Sequence, residues 1–154
     1  MIDAPMSAET EQIRQEFARV QEHWRAAVNA HRLAPPDGGF SARLAALAQA
    51  AREEAVICRK AADAGFGWPP HTSAAGQPYE LQPGSGRRGP ESLWQRFDAA
   101  VAELNRAGAG DDLIDVARAH ELLAAAAAQL AREVERQDRA SGLLPLSLRQ
   151  RRSA

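Results

Sequence analysis

The 154-residue chain contains four histidines, and three of them, His23, His31 and His120, fall on segments with helical spacing. Histidine titrates nearest to neutral pH, which suits it to acid–base catalysis and metal ligation. On a helical wheel His31 lies about five turns beyond Ile13 and shares its face, while His23 sits on the flank of that stripe. His120 occupies a seam position in the last helical segment, and Glu16 and Glu121 are the carboxylates within range. In a bundle that runs up, down, up and down, the end of the first helix and the start of the fourth share a pole. The three histidines would then converge, as ligands from facing helices do in bundle-core metal sites. A crossover between the second and third helices would instead send His120 to the opposite pole.

The spacing speaks against a metal. No Glu-x-x-His pair occurs, and no two histidines stand four residues apart to grip an ion from one helix. The expectation is therefore no metal and no cofactor, with His120 as a polar seam residue that helps to set register. The segment Arg25-Ala-Ala-Val-Asn-Ala-His31 resembles the Arg-x4–6-His pattern of the HEPN ribonucleases, which are also all-α bundles. That resemblance covers seven residues and implies His31 as the acid–base group and Arg25 as the phosphate clamp. The chain departs from the pattern at Ala26, where that family prefers a polar residue. Arg25 also lies about 120° round the wheel from His31, so one helix does not aim both at one phosphate.

Other catalytic templates are missing from the sequence. It has no Gly-x-Ser-x-Gly elbow, no phosphate-binding Gly-x4-Gly-Lys-Ser/Thr loop and no His-Glu-x-x-His helix. "GSGRRG", residues 84–89, precedes a helix start but follows no strand, so it reads as linker. Cys58 faces an alanine stripe without a charged activator, which marks it as buried and inert. One cysteine also excludes an internal disulfide and any cysteine-cluster metal site.

Composition narrows the class further. Hydrophobic residues make up 45%, but only 5% are aromatic and much of the remainder is alanine, which favours close-packed helices over sheet. A net charge of −1 supplies no field for steering nucleic acid or an acidic membrane. Lys60 is the one lysine among the basic residues. The arginine, alanine, glycine and proline excess fits a GC-rich, bacterial genome. "MIDAPMSAETEQ" lacks the basic and apolar regions of a signal peptide, and no apolar run approaches the ~20 residues of a membrane span. A cytoplasmic protein is expected.

Four elements must position these side chains. Residues 7–33 carry the stripe Ile13, Phe17, Val20, Trp24, Ala27 and Val28, with Ser7 as N-cap. Residues 41–64 carry Leu44, Leu47, Ala48, Ala51, Ala55, Cys58 and Ala62, and Gly65–Phe66 reads as a left-handed C-cap. Residues 90–107 open with Pro90 at the first helical position and bury Leu93, Phe97, Ala100 and Leu104, flanked by Trp94 and Val101. Residues 112–140 hold a coiled-coil-like seam of Leu113, Val116, His120, Leu123, Ala127, Leu130 and Val134. Glu53, Glu54, Glu133, Glu135 and Asp138 are expected on exposed faces, with Glu135 and Arg139 paired at four residues.

The fold expected is an all-α four-helix bundle, built from two helical hairpins joined by a long Pro/Gly-rich linker. Inner alanines on the second and fourth helices predict that these two pack together closely. Residues 67–89 form the linker or strap, in which Trp68, Tyr79, Leu81, Arg87 and Arg88 are the groups offered to a partner. Residues 141–154 form a flexible basic tail. The function expected is a non-enzymatic interaction or adaptor protein that can self-associate, with a protein partner or homo-oligomer and no membrane. Its alternatives are a hydrolase, HEPN-like or metal-dependent, and an accessory nucleic-acid-associated factor working through Arg87, Arg88 and the tail.

Overall fold

A computed structural model describes residues 8–33, 39–66 and 89–141. Four helices account for nearly all of them: α1 (Ala8–Leu33), α2 (Phe40–Asp63), α3 (Glu91–Gly108) and α4 (Leu113–Ser141). No strand occurs among the described residues. The linker residues Trp68, Tyr79, Leu81, Arg87 and Arg88, the tail beyond residue 141 and the Ser7 cap lie outside them.

The helices stop where local chemistry stops them. Gly65 adopts φ +87°, its N–H bonds the Ala62 carbonyl at 3.0 Å, and the Phe66 N–H bonds that of Ala61 at 3.0 Å. These two bonds form a Schellman cap, and Phe66 packs back on the core. Pro90 stands as the N-cap of α3, one residue before the helix, with its carbonyl accepting from Leu93 and Trp94. Asp112 caps α4: its Oδ1 accepts the Ile114 N–H at 2.9 Å.

The central contact is α2 on α4, with α1 packed on the outer side of α2 and α3 on that of α4. Buried alanines explain the close approach: Ala48, Ala51 and Ala55 on α2, and Ala124, Ala127 and Ala131 on α4. A side chain that ends at Cβ lets helix backbones approach, so the alanine excess is a packing device. The outer helices are held by larger groups. Phe17 anchors α1, while Trp94 and Phe97 meet edge-on at 5.4 Å and anchor α3. Leu123, Leu130 and Val134 fill the space between them on α4.

Cross-helix pairs fix the directions. His23 meets Glu53 and Glu16 meets Lys60, so α1 is antiparallel to α2. Arg59 meets Glu121 at 2.6 Å, so α4 begins beside the end of α2. The rings of Phe40 and Trp94 lie 6.1 Å apart, which puts the starts of α2 and α3 at one pole. The path is therefore up, down, down, up, and not the simple alternation that would unite the ends of α1 and the start of α4. Arg106, bonded to Glu103 and to Asp115 at 3.0 Å, locks the short α3–α4 turn.

Gly89 is the tightest junction. Its φ is +107°, and a Cβ there would stand 3.0 Å from Leu130 Cδ1 and 3.2 Å from Val134 Cγ2. Gly89→Ala will therefore cost more than the strain of a left-handed alanine alone, about 2 kcal/mol in all. Urea unfolding checks this, with Gly108→Ala as the control because nothing lies within 4 Å of its added Cβ.

Candidate functional site

The helix directions place the three histidines differently. His120 is buried on α4, and its Nδ1–H donates to the Val116 carbonyl at 2.9 Å. Desolvation pushes its pKa down to about 4, against the smaller opposing effect of that backbone bond. It is neutral at physiological pH, with the edge of Trp24 against it at 5.0 Å. His23 is more than half exposed on α1, and its Nδ1 lies 2.6 Å from Glu53 Oε2. His31 falls in the last turn of α1, at the pole where α2 begins. Because α4 starts at the other pole, the backbone separates His31 from His120. Arg25 is exposed on α1. Among the described residues, no three His, Cys, Asp or Glu side chains cluster closely enough to hold a metal ion.

The interior holds an acid that sequence reading put outside. Glu54 is only 1% exposed, and neither carboxylate oxygen has a hydrogen-bond partner. Desolvation, reinforced by neighbouring Glu53, raises its pKa from 4.5 to about 8, so the side chain is protonated in the fold. One turn on, Cys58 is fully buried, and burial together with Glu54 drives its thiol far above the ordinary range. A thiol held protonated is a poor nucleophile. Asp138 is likewise buried, although it too is an acid expected on an exposed face. The wheel angle misled in both cases: α2 is gripped by α1 and α4, and α4 by α2 and α3, which widens the buried arc of each beyond one stripe. Glu135 and Arg139 do pair on the surface, at 2.7 Å.

Two clefts flank α2. The first, about 480 Å³, lies between α1 and α2, with Val20, Val56 and Ile57 as its apolar wall and Arg19, His23 and Arg52 at its edge. The second, about 450 Å³, lies over the α2–α4 seam. Ser41, Ala42, Ala45, Ala48, Ala128 and Ala131 line it, and Arg52, Arg132 and Glu135 edge it. Sequence periodicity marked Ala48 as core and did not show that the seam leaves an outer cleft. No described helix is long and apolar enough to cross a membrane. Comparison of the chain with models of known protein families, with curated proteins and with solved structures found no match.

Proposed function

We propose that the protein is a non-enzymatic interaction module of the cytoplasm that pairs with a second copy of itself through the solvent-facing side of the seam between α2 and α4. On this reading the chain is two helical hairpins, α1–α2 and α3–α4, joined by the Pro/Gly-rich segment 67–89. The packing of α1 on α2 and of α3 on α4 supports that division.

The observation that carries the reading is the alanine-lined cleft over the α2–α4 seam. Its small side chains leave room for another helix to approach nearly to backbone distance. A two-fold interface sets one patch against itself, which requires self-complementary charge. Arg132 and Glu135 at its α4 edge provide both signs.

Sedimentation velocity tests this. The full chain should shift with concentration from 16.6 kDa toward twice that mass. Ala45→Arg puts a long charged side chain into the cleft from a position that is exposed in the single chain, and should hold the protein monomeric. A wild type that stays monomeric at the highest concentration, or an Ala45→Arg variant that pairs equally well, would contradict the proposal.

A further inference from the structure

We propose a second site, independent of self-association: the groove between α1 and α2 binds a small aliphatic carboxylate. Its apolar chain lies on Val20, Val56 and Ile57, and its acid group lies between the guanidinium groups of Arg19 and Arg52.

The charges in the groove are uneven. Glu16 is paired with the Lys60 ammonium at 3.0 Å, and Glu53 is held by a hydrogen bond with His23 at 2.6 Å. Arg19 has no acid or hydrogen-bond partner among the described residues, and Arg52 bonds only the neutral Gln49 amide oxygen, at 3.0 and 3.2 Å. The two unneutralised cations stand on opposite helices beside an apolar wall. A guanidinium forks to the two oxygens of a carboxylate, so the complementary ligand carries that acid next to a hydrocarbon body.

Size and framing select a compact ligand. The cavity of about 480 Å³ falls within the usual range for small-molecule sites. The Glu16–Lys60 and His23–Glu53 pairs both bridge α1 and α2, two turns apart on each helix. They frame a window roughly 10 Å long. A partner helix laid along the groove would have to break these bridges to reach Ile57, whereas a short chain fits between them.

The test uses decanoate below its micellar concentration, titrated into the full chain and followed by amide shifts. Decyltrimethylammonium supplies the same chain with the opposite charge, and acetate supplies the charge without the chain. Decanoate should saturate one site and shift the amides of residues 19–20 and 52–57, while neither control does so. The double variant Arg19→Gln/Arg52→Gln, which removes no ion pair, should keep its helical circular dichroism and bind decanoate about tenfold more weakly. Ala45→Arg should leave decanoate binding intact, which separates this site from the self-association cleft. Equal binding of the cationic chain, an unweakened double variant, or decanoate shifts confined to the α2–α4 cleft would overturn the proposal, as would the absence of saturable binding.

Discussion

Glu54→Met will stabilise the fold at pH 7 by roughly 3 kcal/mol. The folded carboxyl titrates near 8 against an ordinary 4.5, so at neutral pH folding must take up a proton. Its contribution is fully present below pH 4.5 and is lost as pH rises to 8, at about 1.4 kcal/mol per unit. His120 acts in the opposite sense. Its folded pKa is about 4 against 6.5, so its contribution is complete above pH 6.5 and is lost as pH falls toward 4. Between pH 4.5 and 6.5 the two slopes cancel. The wild type should therefore show level stability across that interval and lose about 2 kcal/mol from pH 6.5 to 8. Methionine has a similar volume, an unbranched stem and no group to desolvate. The variant should gain stability up to pH 6.5 and stay level above it. Urea unfolding at pH 5, 6.5 and 8 measures all of this. An alkaline decline that persists in Glu54→Met would place its origin elsewhere.

Phe97→Ala is the substitution expected to cost most, 3–5 kcal/mol. Phe97 is wholly buried, and its ring meets Trp94 edge-on, so truncation loses the transfer energy, leaves a cavity and breaks an aromatic pair. The contact holds α3, whose backbone packs on α4 alone. Against the roughly 5–15 kcal/mol typical of a folded domain, this loss will leave a measurable unfolded fraction in mild urea. Val56→Ala, at a position largely in solvent, should change stability by less than about 0.5 kcal/mol. Similar losses in the two variants would show that α3 is not held by its aromatic anchor.

The four helices were legible because apolar spacing at three and four residues reports burial directly. Ile13, Phe17, Leu44, Phe97, Leu123 and Val134 all lie in the core. The Gly65–Phe66 cap was readable because positive φ and a returning apolar side chain are local requirements. Close packing of α2 on α4 followed from alanine at inner positions on both. Other features depend on more than one helix. Glu54 sits one residue before the alanine stripe at Ala55, and only the neighbours of α2 decide that it is enclosed. The helix directions rest on pairs such as Arg59–Glu121 and Phe40–Trp94, which have no local signature. His31 and His120 shared an apolar phase within their own helices, and phase carries no information about which pole a helix starts from. Both clefts likewise arise from the spacing between helices.

The proposed dimer sets the solvent-facing side of the α2–α4 seam of one copy against that of a second. Intermolecular paramagnetic relaxation tests it most directly. An unlabelled chain carrying a nitroxide at Ala128→Cys, with Cys58→Ser to remove the native thiol, is mixed with an isotope-labelled wild-type chain. Broadening of the labelled amides around Ala42, Ala45 and Ala48, and of those around Ala128 itself, is the predicted result. Broadening that maps to α1 or α3, or none at concentrations where the protein sediments as a dimer, would contradict it.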